Sequence, residues 1–303
     1  MKRLLIVYNP RSSRYAEVKR EVLDPARDLK GYLVGKYEID KTDVDKNAVK
    51  FAKILKDNDV VLVAGGDATA VVAVNGILQS GKDVELMVLP YGNFNDLART
   101  LGTKKIKDVF GGGVKTQRLY PLEIIADDKF VRYATCYVTI GMTAEAVKIY
   151  DEVKMRKILK KNFGRYVGSY TNLAWWYFRN RHKKKFLSEF KLNGVKQNKL
   201  ASDYVAVNGK SMARVMRGGD DYLKPKVFRS ETDRLTSFWR LFKLMSRSIL
   251  WRIPGEETTR DVLEFEKPSR VELQAEGESI VFEKVEKIEI RKAAKWVKVI
   301  KSL

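Results

Sequence analysis

The chain has one cysteine and one histidine in 303 residues. A single thiol, Cys136, excludes an internal disulfide framework and suits a reducing compartment. The lone imidazole, His182, lies in the basic run Arg181-His182-Lys183-Lys184-Lys185. That argues against a Ser–His–Asp triad and against a His-rich metal site. No run approaches the ~18 apolar residues of a membrane-spanning helix. Lys2-Arg3 leads straight into an apolar strand-like stretch, not a signal peptide. Low-complexity tracts and internal repeats are missing as well.

What the chain has is hydrophobic content, 45%, enough for a proper core, and a net charge of +21. The charge is uneven: residues 1–120 carry +6 and the remainder +15. Such a balance implies an acidic partner, whether anionic lipid, nucleic acid or a phosphorylated substrate. The length suggests one large or two ordinary domains.

The organising stretch is residues 60–102. Val60–Ala64 is a continuous β-branched run, as expected of a buried parallel strand. Gly65-Gly66 ends it, Asp67 follows, and Ala68–Leu78 reads as a helix closed by Gly81. Glu85–Leu89 is the next strand, stopped by Pro90. The polar turn Tyr91-Gly92-Asn93-Phe94-Asn95-Asp96 then precedes a helix at Leu97–Leu101. Upstream, Leu4–Tyr8 and Leu33–Ile39 read as strands, Tyr15–Lys30 as a helix interrupted near Pro25, and Asp45–Asp57 as a helix. The resulting β-α alternation argues a doubly wound sheet. Ligands of such sheets sit beyond the carboxyl ends of the strands, where helix N-termini offer N–H groups to anions. Two successive turns of this kind suggest phosphate binding. An aspartate in each, Asp67 and Asp96, calls for a divalent cation, and Mg²⁺ is the usual bridge to phosphate oxygens. The plain alternative is an ordinary βα turn with glycine for geometry and aspartate as cap. Gly111-Gly112-Gly113-Val114-Lys115-Thr116 lacks the Gly-Lys pair and the strand–helix setting of a P-loop, and reads as a connector.

Gly65-Gly66-Asp67-Ala68-Thr69 resembles the GGDGT signature of the diacylglycerol kinase and sphingosine kinase superfamily. Asn75-Gly76 stands where that family has NG, and Leu89–Arg99 resembles its P-x-GT-x-NDFAR loop. Asn9-Pro10-Arg11-Ser12-Ser13 is similar to its NP-x-SG opening. Ala68 replaces a glycine, Asn93 a threonine, Ser13 a glycine, and Val72 stands at a usual glutamate. Further on, Thr139–Glu145 resembles SIGFDAEV, Asn208-Gly209 another family turn, and Val271–Glu278 the V-x-V-DGE stretch. Glu276 falls on the Asp of that stretch and Glu278 on its Glu. Glu231–Thr236 matches the DDG-x-LD metal loop poorly.

From Arg118 onward, strand-like segments follow at short spacing: Leu119–Ala126, Lys129–Thr139, Glu189–Leu192, Ser202–Val207, Asp261–Glu266, Arg270–Ala275, Glu278–Lys284 and Lys287–Ile290. This suggests an antiparallel sandwich. The expected fold is thus an α/β N-terminal domain at 1–118 with a mainly parallel sheet, and a mainly antiparallel β-sandwich domain at 119–290. The tail, 291–303, is expected to return to the first domain. Residues 151–185 hold 11 Lys/Arg against 2 Asp/Glu around Trp175-Trp176-Tyr177-Phe178, and Phe238–Ile253 has the same flavour. Both suit a membrane surface, or equally a face packed on the sandwich. They also suit single-stranded nucleic acid, but no RNA-binding signature or zinc spacing accompanies them.

The resemblance implies a lipid kinase using ATP and Mg²⁺. Asn9, Arg11, Gly65, Gly66, Asp67, Thr69, Gly92, Asn93, Asn95 and Asp96 would hold the nucleotide, Asp67 and Asp96 the metal, and Glu278 would be the general base beside Asp67. The substrate would be a hydroxyl of diacylglycerol or a related lipid, met by a cytoplasmic protein peripheral on the inner membrane face, as monomer or homodimer. A non-catalytic lipid- or nucleotide-binding relative remains open. So does NAD kinase, which shares Gly-Gly-Asp, although the chain has no Asn-Glu dipeptide.

Overall fold

The computed structural model describes residues 1–40, 43–106, 114–141, 144, 190–196, 201–212, 216–217, 226–231 and 256–302. The basic segments 151–185 and 238–253, the triple glycine, Thr143, Glu145 and residues 232–236 lie outside them.

The N-terminal strands are β1 (Lys2–Tyr8), β2 (Tyr32–Glu38), β3 (Val60–Gly65), β4 (Glu85–Pro90) and β5 (Val114–Leu119). Between them lie α1 (Tyr15–Val18), α2 (Val44–Ile54), α3 (Asp67–Ser80) and α4 (Asp96–Thr100). The interrupted helix after β1 continues from α1 as a π turn at Lys19–Leu23 and a 3₁₀ turn at Pro25–Asp28. Pro25 sits at the start of the last of these, the one helical position that needs no N–H. β2, β1, β3 and β4 pair in parallel. The chain's last strand, Val297–Ser302, adds parallel to β4 and antiparallel to β5.

Alternation along β1 shows that both faces are covered. Leu5 and Val7 join the core under α2 and α3, while Leu4 and Ile6 join the core that holds Val18, Val22 and Leu23. α3 is buried nearly all round from Thr69 to Leu78, as its uniformly apolar sequence requires. One side meets α2, where Gly76 is obligatory because a Cβ there would lie 2.7 Å from the Phe51 ring. The other meets the C-terminal half. Asn75, fully buried, donates to the Tyr133 carbonyl at 2.8 Å and accepts from its N–H at 2.9 Å.

Among the described residues, the C-terminal half is a ten-stranded antiparallel sheet. It contains β6 (Leu122–Ala126), β7 (Lys129–Ala134), β8 (Tyr137–Gly141), β9 (Phe190–Leu192), β10 (Val195–Lys196) and β11 (Ala201–Val207). After the small ribbon β12 (Ser211–Met212) and β13 (Met216–Arg217) come β14 (Lys226–Glu231) and β15 (Glu256–Glu257). The long strands β16 (Arg260–Ala275) and β17 (Glu278–Lys292) follow, and β18 is Val297–Ser302. The layers belong to one hydrogen-bonded sheet, because β16 and β17 run through where sequence suggested two shorter strands each. Register shifts between Glu264 and Val271, around Pro268, mark a bulge there, the arrangement that proline in a strand demands. The first half of β16 pairs with β9 and the second with β8, and side chains from both halves enter one core.

Two expected strands are split. Leu119 ends β5 in the first sheet and Leu122 begins β6 in the second, so Tyr120-Pro121 crosses between domains. Lys129–Thr139 is broken at Thr135-Cys136, where the chain leaves β6 and joins β11 and β16.

Candidate active site

The turn after β3 and the turn after β4 are in backbone contact. A Cβ on Gly92 would lie 2.3 Å from the Gly66 Cα, and one on Gly66 would lie 2.9 Å from the Gly92 Cα. Side chains are therefore excluded from both positions, and the two glycine turns form one cradle at the carboxyl ends of adjacent strands. Gly65 has a separate reason: its Cβ would strike the Thr69 hydroxyl at 2.5 Å. Gly66 precedes α3 as its N-cap residue with no side chain capping the helix, which leaves first-turn N–H groups for a ligand.

The second turn closes on itself. Asn95 has left-handed backbone, φ +57°, a conformation asparagine tolerates. Its Oδ1 accepts the Gly92 N–H at 2.7 Å and its Nδ2 donates to the Gly92 carbonyl at 2.8 Å. The turn after β1 is tied to it: Arg14 Nη1 donates to the Pro90 carbonyl at 2.8 Å, with its guanidinium 5.3 Å from the centre of the Tyr91 ring. The Tyr91 hydroxyl in turn donates to Glu21 at 3.0 Å. Asn9 Oδ1 accepts from the Arg11 N–H at 2.9 Å, so Asn9 shapes its own turn. Arg11 and Asn93 are exposed and Thr69 is buried.

Asp67 opens α3, half-buried, and its Oδ1 accepts the Leu97 N–H at 3.3 Å, at the start of α4. Burial, then the charge of Asp96, pushes its carboxyl up to about 7 against the N–H bonds that lower it. Asp96 is fully buried, and Arg99 Nη2 donates to it at 2.5 Å and to the Phe94 carbonyl at 2.8 Å. A third carboxyl joins them. Glu276, 3% exposed, accepts from the Thr135 hydroxyl at 2.5 Å, from the Tyr137 N–H at 3.1 Å and from the Cys136 N–H. Burial, then the charge of Asp67, pushes it up to about 8. Burial and the same acids hold the Cys136 thiol and Tyr137 phenol well above their usual ranges.

The resemblance set Glu276 on the Asp of the V-x-V-DGE stretch and gave it no role in the site. Glu276 sits at the tip of the β16–β17 hairpin with φ +56°, followed by Gly277 at +90°. Two-residue turns of this kind favour Asn-Gly or Asp-Gly. A glutamate there is costly, and that misfit was the readable signal. Glu278, the expected base, opens β17 half-buried and pairs with Ala275. The Glu276 carboxyl feels the Asp67 charge.

The donor set bears differently on nucleotide and metal. The glycine cradle and uncapped α3 fit a phosphate. Among the described residues no group of three or more metal-ligating side chains forms. Asp96, buried and ion-paired, does not share an open position with Asp67. The arrangement fits an ion brought by nucleotide phosphates and touched by Asp67, as Mg²⁺ commonly binds through one carboxylate plus phosphates, and not a clamp of two aspartates. Ala68 and Ser13 have no positive φ. Ala68 lies within α3, so the glycine it replaces is not needed there for backbone freedom.

Comparison with known proteins agrees with these motifs. Residues 3–121 match the family described as diacylglycerol kinase catalytic domain. A diacylglycerol kinase of Staphylococcus aureus (strain bovine RF122 / ET3-1) is 35% identical over 103 residues, 33% of this chain and 32% of that protein. The enzyme of strain MRSA252 matches equally. The matched region thus spans about a third of these relatives' length. The crystal structure of a diacylglycerol kinase from Bacillus anthracis str. Sterne superposes with a TM-score of 0.67 over 99% of this chain and 97% of that one, at 17% identity, which shows a shared two-domain fold. With the glycine turns and Asp67 in place, residues 3–121 of this chain are similar to the diacylglycerol kinase catalytic domain.

Proposed function

We propose that the chain transfers the γ-phosphoryl group of ATP to a hydroxyl of diacylglycerol or a related lipid, at an anionic membrane surface. The observation that carries this reading is the Gly66–Gly92 contact, which fuses two anion-binding turns into one cradle beside the half-buried Asp67 and the buried Glu276.

Phosphoryl transfer needs positioning and charge neutralisation more than covalent participation by the protein. Mg²⁺ bound with the nucleotide supplies that neutralisation. The N–H groups opening α3 hold phosphate oxygens, and the Gly66–Gly92 contact keeps side chains out of their way. Asp67 faces the nucleotide side. Asp67 and Glu276 together form the proton acceptor for the attacking hydroxyl, since a half-buried and a buried carboxyl held up at about 7 and about 8 are matched to general-base work at neutral pH. Glu276 takes the role that the resemblance gave to Glu278. The excess of positive charge beyond residue 120 suits anionic lipid. No helix among the described residues is long and apolar enough to cross a membrane.

The test pairs ATP·Mg²⁺ calorimetry with a labelled-ATP transfer assay against a lipid panel and NAD. Binding with transfer to a lipid is expected. Neither binding nor transfer would refute the reading. Binding without transfer would favour a non-catalytic relative, for which the engagement of Asp67 by α4 is the supporting observation.

A further inference from the structure

The geometry points to Asn208 as the positioning residue that holds Glu276 in the site, acting through the segment Thr135–Tyr137. This rests on the reading of Glu276 as part of the proton acceptor.

Glu276 takes its hydrogen bonds from three consecutive residues: the Thr135 hydroxyl, the Cys136 N–H and the Tyr137 N–H. Those residues lie where the chain switches strand partners, between β7 and β8. Regular sheet pairing therefore does not fix Thr135 and Cys136. Asn208 does so, from the end of β11. Its N–H donates to the Cys136 carbonyl at 2.6 Å, and its Nδ2 donates to the Thr135 carbonyl at 3.1 Å and to the Tyr120 carbonyl at 2.7 Å. Tyr120 is the residue at which the chain crosses from the first domain to the second. One side chain thus ties the crossing point to the segment that grips Glu276.

The amide orientation is settled by its partners, because exchanging Oδ1 and Nδ2 would set an oxygen against two carbonyls. Oδ1 itself is buried with no partner among the described residues, in a residue only 1% exposed. A side chain chosen for stability alone would not leave that acceptor unmet. The same turn also reaches the other half of the carboxyl cluster. The Lys210 N–H donates to Thr100 Oγ1 at 3.2 Å, on the helix that carries Asp96. A Cβ on Gly209 would lie 3.1 Å from that oxygen and 3.6 Å from the Cys136 sulfur. The turn at 208–210 is therefore wedged between α4 and the 135–137 segment.

The test compares wild type, Asn208→Ala, Glu276→Gln and the double variant on the full chain. Amide hydrogen exchange supplies a readout independent of the reaction. Cys136 and Tyr137 amides should exchange about 10-fold faster in Asn208→Ala, while β3 amides stay unchanged. In the transfer assay, Asn208→Ala should lower kcat by roughly 10-fold with the ATP KM unmoved, and should cost nothing further in the Glu276→Gln background. Asn208→Ser keeps one donor and should fall between, and it replaces the alanine variant if that fails to fold. Unchanged exchange at Cys136 and Tyr137 would overturn the proposal, as would fully additive losses in an active enzyme. If wild type transfers phosphate to no lipid, the kinase reading fails, and the exchange comparison alone decides the role of Asn208.

Discussion

Replacing Glu276 by glutamine should make the protein more stable at alkaline pH and leave it nearly unchanged at acid pH. In the fold, both backbone donors, the N–H groups of Cys136 and Tyr137, go to Oε1, and Thr135 faces Oε2. A protonated glutamic acid satisfies this arrangement by turning its O–H toward the Thr135 oxygen. Glutamine does the same with its amide N–H, so the variant copies the protonated acid. The ionised acid is another matter, because it places a charge away from water and next to Asp67.

The sign follows from the direction of the shift. The folded carboxyl titrates at about 8 against a reference of 4.5. Its contribution is therefore fully present below about pH 4.5 and is lost as pH rises through about 8. A shift of that size, taken whole, corresponds to a ceiling on the order of 5 kcal/mol. Relaxation around the charge, and the linked titration of Asp67, reduce this to about 2–3 kcal/mol. Chemical denaturation of wild type and Glu276→Gln at several pH values between 5 and 9 checks it. The curves should meet near pH 5 and diverge steadily upward in favour of glutamine. For a chain of this size about 2 kcal/mol appears as a difference of roughly 3 °C in Tm at pH 9. A gap that stays constant from pH 5 to pH 9 would refute the placing of Glu276 as a buried, proton-holding acid. Activity should move the opposite way: the same variant should lose roughly 10²–10⁴ in kcat if the acid is a general base.

Gly92→Ala should weaken ATP binding and cost about 1–3 kcal/mol of stability, since its methyl has to displace Gly66 backbone; calorimetry and thermal melting read both. Asp67→Asn should reduce metal-dependent nucleotide binding as well as turnover, whereas Glu276→Gln should leave ATP binding nearly intact, and equal loss of binding in the two would contradict their separate roles. Asn75→Ala removes the bonds to both backbone groups of Tyr133 and should cost on the order of 2–4 kcal/mol, with the two halves melting in separate transitions by calorimetry. The protein should bind anionic vesicles and release at high salt, and replacing Lys183, Lys184 and Lys185 by glutamine should weaken binding by about 1 kcal/mol per charge; equal sedimentation with neutral and anionic vesicles would count against it.

What the sequence made legible, and what it hid, divides by the range over which the cause acts. The apolar runs at Leu4–Val7 and Val60–Ala64 are local signals, and they are the buried centre of the first sheet. Pro25 and the glycines at 65, 66 and 92 also announce their positions locally, through the backbone they permit. The reason behind two of those glycines was not local: Gly66 and Gly92 exclude each other's side chains across two strands. The same holds for Asn75-Gly76, a pair whose first member reaches another domain and whose second makes room for Phe51.

The strand expected at Lys129–Thr139 shows the limit most clearly. Its residues have uniform strand character, so no pattern within the segment marks a break. The break comes from Glu276, about 140 positions away, whose carboxyl needs donors that a continuous ladder would have spent on its neighbours. Thr135 and Cys136 leave the ladder to supply them, and Asn208 covers the carbonyls this exposes. Glu276 in turn occupies a hairpin position that disfavours glutamate, with φ +56°. Three local departures from good strand and turn chemistry thus converge on one carboxyl group. Each is unfavourable alone, and packing of the remaining core does not call for any of them. Such a coincidence of local costs at a single buried acid is what a functional constraint leaves in a fold, and it sets Glu276 apart from Glu278, whose place at the start of β17 involves no such break in the chain.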